Sequence, residues 1–253
     1  MKDLNLALWG PSAAGKTALL AQLYIRSQAL RGDWEIYPTP ESLPFIERMR
    51  PLLLSGNLFP PATPVGTPER IVYRFRHRPT GAVASLHVED RAGKESEELD
   101  DAGRERLAAA DGLVLLFDPI PNEAELREQV IRTLERLHVA GNPGDKDPRP
   151  IAICLSKADS AVHTLDDARR VHESPDDFVR ERMAPQLAGW IELFCANFRL
   201  FPVSAAGVRV RRGVVEPVVF YDEQLRFRIG QDGEPINLLE PFLWIFEQVE
   251  GRV

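Results

Sequence analysis

Residues 8–17 read LWGPSAAGKT and contain the pattern G-x-x-x-x-G-K-T. A short apolar run precedes the pattern and a helix-like stretch follows it, which is the context of a phosphate-binding loop. Glycine at both ends lets the backbone turn so that successive N–H groups point at phosphate oxygens. Lys16 is long enough to reach the outer phosphates, and the Thr17 hydroxyl can ligate Mg²⁺. The stretch therefore predicts a strand, a phosphate-binding loop and the start of a helix.

Three later motifs each come directly after a predicted apolar strand. Residues 88–93 (VEDRAG) end in D-x-x-G, residues 155–159 (LSKAD) contain S-K-x-D, and residues 202–206 (PVSAA) end in S-A-A. Ligands bind outside the carboxyl ends of the strands in open α/β sheets. We therefore expect all four motifs at one edge of one sheet.

The pattern along the chain predicts a three-layer α/β fold. We expect a mostly parallel six-stranded sheet with one antiparallel edge strand, and a small β insertion before the last helix. A helix is expected over 175–197, and the last helix over 237–249. The six predicted strands are 4–9, 70–78, 83–89, 113–117, 151–155 and 199–203.

In this order the motifs resemble those of GTPase G domains, the Ras-like branch of the P-loop nucleoside triphosphatases. The resemblance implies that the chain binds GTP, GDP and Mg²⁺ and hydrolyses GTP as a nucleotide-dependent switch. The positions implied around the nucleotide are Gly10, Ser12, Ala13, Ala14, Gly15, Lys16, Thr17, Ala18, Ser156, Lys157, Asp159, Ser204, Ala205 and Ala206. Those implied at the metal are Thr17, Thr63 and Asp90, and those implied in hydrolysis are Lys16, Thr63, Gly93 and Lys94.

Asp159 is the residue that implies guanine. By resemblance its carboxylate accepts hydrogen bonds from guanine N1 and N2, the Lys157 stem lies over the base, and the Ala205 amide donates to O6. Adenine offers no matching pair of donors, and leaving a buried carboxylate unpaired is costly. An ATPase is therefore disfavoured.

The chain departs from the G-domain pattern in three places: at Ser156, at Lys94, and at Ser12 and Ala13, where Ras-like proteins have small glycines. Lys94 follows the D-x-x-G motif where many family members carry Gln to orient the attacking water, so efficient hydrolysis by the chain alone is in doubt. This leaves open a second function, a GTP-binding adaptor that hydrolyses little or nothing and works through a partner protein. Ser156 replaces the usual Asn or Thr, and its hydroxyl is expected to tie this loop to the phosphate loop.

The first switch loop is expected in a proline-rich insertion at 32–68. Its threonine, which closes over Mg²⁺ and the γ-phosphate, is assigned to Thr63, with Thr67 as the second candidate.

A narrower resemblance links the chain to a bacterial family, the double-GTPases. It rests on the LWGP opening, on the FPPAT that closes the insertion at 59–63, and on the DRAG of 90–93. Such proteins are thought to act in pairs, so the resemblance implies a second GTPase as partner.

Composition indicates one globular domain. We expect residues 1–253 to form a single G domain with insertions at about 32–68, 160–174 and 207–235. A net charge of −7 argues against nucleic acid as a partner. Cys154 and Cys195 lie in apolar surroundings and are expected to be buried thiols. Neither a signal peptide nor an apolar run of membrane-spanning length is found, so a cytoplasmic protein without a transmembrane segment is expected.

Overall fold

The computed structural model describes most of the chain. For residues 89, 90 and 250 the description covers the backbone alone. The described residues are 4–27, 33–54, 58–60, 69–90, 105, 107–119, 122–139, 145–224, 226–230 and 232–250.

A seven-stranded sheet forms the centre of the described structure, in the order β2-β3-β4-β1-β5-β6-β7. The pairs β1–β4, β1–β5, β5–β6 and β6–β7 are parallel, whereas β3 runs antiparallel to both β2 and β4. The strands are β1 (Leu4–Trp9), β2 (Trp34–Pro38), β3 (Glu69–His77), β4 (Val83–Asp90), β5 (Gly112–Phe117), β6 (Asp147–Leu155) and β7 (Cys195–Pro202).

This sheet confirms the predicted α/β class, the mostly parallel order and the antiparallel pairing at the edge. The number of strands is seven rather than six, because Trp34–Pro38 forms the edge strand β2. That segment had been assigned to the proline-rich insertion. Its pairing with β3 and the stacking of Trp34 on Phe246, with ring centroids 4.7 Å apart, are long-range contacts that a five-residue pattern does not reveal.

Helices cover both faces of the sheet and complete the three layers. On one face the core joins α1, α2 and α7 to the sheet through residues such as Leu20, Phe45 and Phe246. On the other face it joins α3 and α6 through Val130 and Ile191. The helices are α1 (Lys16–Ser27), α2 (Leu43–Leu54), α3 (Glu123–Val139), α4 (Leu165–Glu173), α5 (Pro175–Phe178), α6 (Leu187–Ile191) and α7 (Glu240–Glu250).

Two predicted helices differ from the structure. The segment expected to be one helix over 175–197 is interrupted after a π-helical turn at Val179–Met183. Ala184 leaves the helical region there, with φ −156° and ψ 80°, because the following Pro185 disfavours that region for the residue before it. The last helix begins at Glu240, three residues later than expected, after Asn237 with a positive φ of 45°. In the described part of the chain, none of the helices combines the length and apolar character that crossing a membrane requires.

The predicted β insertion before the last helix is present and grows directly out of the main sheet. Only Val203 separates β7 from β8 (Ser204–Arg211), which pairs with β9 (Val214–Pro217) and β12 (Glu234–Ile236). A second, two-stranded sheet joins β10 (Val219–Tyr221) to β11 (Phe227–Ile229). The S-A-A motif was expected directly after a strand; it follows β7 and also opens β8.

Asn237 ties three elements together behind this insertion. It is buried, and its Nδ2 donates to the carbonyls of Val171 in α4 (2.6 Å) and Pro202 in β7 (2.9 Å). Its Oδ1 lies 3.2 Å from His172 Nδ1. Because Pro202 is two residues before the S-A-A motif, Asn237 helps to hold the start of that motif in place.

We expect Asn237→Ala to lower the free energy of unfolding by about 3 kcal/mol, since two buried carbonyls lose their donor and alanine must adopt a left-handed backbone. Asn237→Gly loses the same hydrogen bonds without the backbone strain, and should be about 1 kcal/mol less destabilised than the alanine variant. Urea unfolding followed by circular dichroism measures both. An alanine variant within about 0.5 kcal/mol of the parent, the range of ordinary surface substitutions, would contradict this role.

Candidate functional site

The loop between β1 and α1 has a backbone that requires its glycines. A Cβ added at Gly10 would lie 2.2 Å from the Leu116 carbonyl oxygen in β5, so no other residue fits there. Gly15 has a φ of 87°, and Ala13 also lies in the left-handed region with φ 60°. Turns that use left-handed residues direct successive N–H groups into a concavity, which is the geometry of an anion site. The loop therefore has the shape that its sequence predicts.

Lys16 lies inside this loop. The residue is buried, and its Nζ donates to the carbonyls of Gly10 (2.7 Å) and Pro11 (2.9 Å). Burying an ammonium group is unfavourable unless polar partners surround it. The loop thus holds a positive charge at the amino end of α1, where the helix dipole also favours an anion.

The S-K-x-D and S-A-A motifs meet through Asp159 and Ser204. The Ser204 hydroxyl donates to Asp159 Oδ1 (2.5 Å) and accepts from the Gly207 amide (2.8 Å). Two backbone hydrogen bonds join the same segments, from Ala158 N to Val203 O (3.1 Å) and from Val203 N to Leu155 O (2.8 Å). Motifs that lie 45 residues apart in the chain are therefore one structural unit.

Burial raises the pKa of the Asp159 carboxyl above its usual value, because the charged form loses hydration. The hydrogen bond from Ser204 acts in the opposite direction and favours the carboxylate. Ser204 thus helps to keep the partly buried Asp159 carboxyl charged.

Lys157 has a partner that the sequence analysis did not single out. Its Nζ forms an ion pair with Oδ2 of Asp118, the first residue after β5. The signal was present in the sequence, because Asp118 follows an entirely apolar strand as the other motifs do. Lys157 itself has a left-handed backbone, with φ 55° and ψ 32°.

The expected tie from the Ser156 hydroxyl to the phosphate loop is not made. Ser156 Oγ is buried and has no hydrogen-bond partner among the described residues. Its amide instead donates to the Phe117 carbonyl (2.8 Å), so the backbone, not the hydroxyl, anchors this loop.

The other positions implied by the resemblance fall into two groups, those that the structure describes and those that lie outside the described residues. Ala14 and Ala206 are buried, Ser12 is exposed, and Thr17, Ala18 and Ala205 are partly exposed. Thr63, Thr67, Gly93 and Lys94 lie outside the described residues, as does the side chain of Asp90, whose backbone ends β4.

The parallel order of the sheet brings the described motifs to one edge. β1, β5, β6 and β7 are consecutive and parallel, so the phosphate loop, Asp118, the S-K-x-D segment and the S-A-A segment all follow carboxyl ends on the same side. This is where open α/β sheets bind their ligands. The site combines the buried Lys16 ammonium, a loop shaped to bind an anion, and the partly buried Asp159 carboxylate.

Comparison with protein families agrees with this arrangement. The family model Double-GTPase 2 matches residues 5–209, which is most of the chain. The chain belongs to the Double-GTPase 2 family. The match confirms the predicted P-loop GTPase class and includes every motif described above, whereas most of the β insertion and α7 lie beyond its end.

Two solved structures are similar to this Double-GTPase 2 chain at low identity. One is a GTP-binding protein from the hyperthermophilic archaeon Sulfolobus solfataricus in complex with GDP, with 16% identity, 80% of this chain and 47% of that chain covered, and a TM-score of 0.42. The other is a mutation variant of SsGBP, with 16% identity, coverages of 80% and 51%, and a TM-score of 0.40. The chain spans about half the length of these structures. No curated protein matches it.

We expect Ser204→Ala to raise the pKa of Asp159 further in this Double-GTPase 2 protein, because the carboxylate loses the donor that favours its charged form. Carbon-13 NMR of aspartate-labelled protein measures the titration, and the signal missing from Asp159→Asn assigns it. Ser160→Ala serves as the control, since the Ser160 hydroxyl donates to the Lys157 carbonyl and not to Asp159. A Ser204→Ala titration at or below the parent value would show that the hydroxyl does not tune this carboxyl.

Proposed function

We propose that this protein binds GTP and GDP with Mg²⁺ and hydrolyses GTP slowly, as a nucleotide-dependent switch that works with a partner protein. The observation that carries the proposal is the buried Lys16 ammonium inside a loop that accepts only glycine at position 10. Membership of the Double-GTPase 2 family supports it. We assign residues 1–253 to one G domain with insertions at 32–68, 160–174 and 207–235.

The phosphates would occupy the loop. Lys16 would exchange its two carbonyl partners for phosphate oxygens, and the loop amides would donate to the same group. Thr17 at the start of α1 would ligate Mg²⁺, with Asp90 acting through a water and Thr63 closing over the metal. A hydroxyl and a carboxylate are oxygen donors of the kind that Mg²⁺ prefers, and few are needed because phosphate and water supply the rest. The metal would neutralise charge that develops on the phosphates.

The base would lie between the S-K-x-D and S-A-A segments. Asp159 would accept from guanine N1 and N2, because Ser204 orients the carboxylate and favours its charged form. A carboxylate offers about four acceptor positions, so the bond from Ser204 leaves room for two donors from the base. The Ala205 amide would donate to guanine O6.

We expect GTP, and not ATP, to displace a fluorescent GDP from the parent protein. Asp159→Asn should weaken GDP binding by roughly 100-fold or more, because two hydrogen bonds to a charged acceptor are lost. The same variant should favour xanthine nucleotides, since the amide can donate where the carboxylate accepted. Asp166→Asn, at an exposed carboxylate in the first turn of α4, is the matched control and should bind as the parent does. Equal displacement by ATP and GTP would contradict the guanine assignment.

Hydrolysis would proceed by attack of water on the γ-phosphorus, breaking its bond to the β–γ bridging oxygen and releasing GDP and phosphate. Orienting that water is a large part of the catalytic task. A protonated Lys94 cannot accept a hydrogen bond from water, so it cannot take over the role of glutamine. It could instead stabilise charge on the γ-phosphate or face solvent.

We expect the isolated protein to hydrolyse GTP at roughly 10⁻⁴–10⁻² s⁻¹, the range of G domains without a supplied activator. Single-turnover phosphate release measures the rate. A lower hydrolysis rate in Lys94→Ala than in the parent would indicate that Lys94 stabilises charge on the γ-phosphate. Lys16→Ala should lose this activity, and any rate that remains in it measures contaminating phosphatases. Lys146→Ala, which removes an exposed lysine away from the loop, is the matched control and should hydrolyse GTP as the parent does. A rate above about 1 s⁻¹ would contradict a slow switch, and GTP binding without hydrolysis would favour the adaptor.

A further inference from the structure

Asp118 is a buried carboxylate at the centre of the sheet edge that carries the site. It follows β5, in which every residue is buried and which lies between β1 and β6. Only 12% of the Asp118 side chain is exposed, whereas its partner Lys157 keeps 42% of its side chain exposed. The carboxylate therefore lies inside the protein and the lysine extends from it towards the site surface.

The backbone brings these two residues to the same end of two neighbouring strands. Phe117 and Leu155 are register partners in the β5–β6 ladder, and the bond from Ser156 N to Phe117 O (2.8 Å) continues the pairing one residue further. Asp118 is the first residue after β5, and Lys157 is the second residue after β6. The left-handed backbone of Lys157 is unfavourable for a residue with a side chain, so a specific contact is needed to hold the lysine in this conformation.

We propose that Asp118 is a positioning residue for the guanine nucleotide: it holds Lys157 Nζ so that the lysine stem covers the base. The inference rests on the proposed function. A flexible four-carbon side chain loses rotamer freedom when a ligand packs on it, and an ion pair that fixes it beforehand removes that loss from binding. Asp118 thus acts on the base through Lys157 and not on the phosphates.

The test separates base binding from phosphate binding. The variants are Asp118→Asn, Lys157→Met, which keeps the stem without the charge, and the double substitution. For each, the dissociation constant of fluorescent GDP is measured with Mg²⁺, and tripolyphosphate, which has no base, is measured by competition. Asp147→Asn is the matched control, because Asp147 forms an ion pair of similar burial with Arg149 at the opposite end of β6.

Asp118→Asn should weaken GDP binding roughly tenfold, which is within the range of ordinary coupling between neighbouring residues. Tripolyphosphate binding should stay within about twofold of the parent, a difference too small to indicate a lost contact. Lys157→Met should also weaken GDP binding, and the double variant should bind GDP as Lys157→Met does. Asp147→Asn should change neither constant. If Asp118→Asn does not fold, Asp118→Glu, which keeps the charge but displaces it by one methylene, should show the same selective loss for GDP.

Three outcomes would overturn the role of Asp118 in a parent that binds GDP. These are an unchanged GDP constant in Asp118→Asn, an equal loss for tripolyphosphate, and effects that add up in the double variant. A parent that binds tripolyphosphate but not GDP, or neither probe, would instead refute the proposed function itself.

Discussion

The close approach of Gly10 to the Leu116 carbonyl is the constraint on which the site depends. Here the backbone that follows β1 lies so close to β5, in the middle of the sheet, that no side chain fits between them. From that fixed point the chain must turn through Ala13 and Gly15 with positive φ before α1 begins. Lys16 therefore starts its helix beside the carbonyls of the loop that it has just left, and its ammonium is buried there.

A second constraint holds the opposite side of the site. Ser204 carries one hydroxyl that serves two segments, donating to Asp159 and accepting from Gly207. Asn237 acts from behind, where it donates to the Pro202 carbonyl. The acceptor proposed for the base is thus held by Ser204 in β8 as well as by its own loop, and Asn237 fixes the end of β7 behind it. Such preorganisation reduces the ordering that a ligand would otherwise have to induce.

The sequence predicted what depends on local pattern and missed what depends on distant contacts. The order of motifs and the apolar runs were sufficient to place the phosphate loop between β1 and α1 and the later motifs at strand ends. The edge strand β2 was missed because its pairing with β3 and the stacking of Trp34 on Phe246 are formed by residues far away in the chain. Asp118 was missed although it follows an apolar strand as the motifs do, and only the pairing of β5 with β6 shows that its partner is Lys157. The helix break at Ala184 was predictable, because Pro185 is a local signal.

The β insertion determines where this chain can be truncated without exposing a strand edge. The family match ends inside β8, yet β8 is flanked by β9 and β12, which both come later in the chain. Gly207 in β8 approaches the Glu234 carbonyl so closely that an added Cβ would lie 1.8 Å from it. On the other side of the insertion, Phe59 packs on Ala206, Val218 and Ile229, and Leu58 forms a β-bridge with Arg228.

A chain cut at the family boundary would therefore lose both neighbours of β8 and the apolar cover of Ala206, leaving an unpaired strand edge of the kind that promotes aggregation. The part of the chain that the family model matches, residues 5–209, is therefore shorter than the part that we expect to be needed for folding. Expression of a shortened protein must keep the chain through α7.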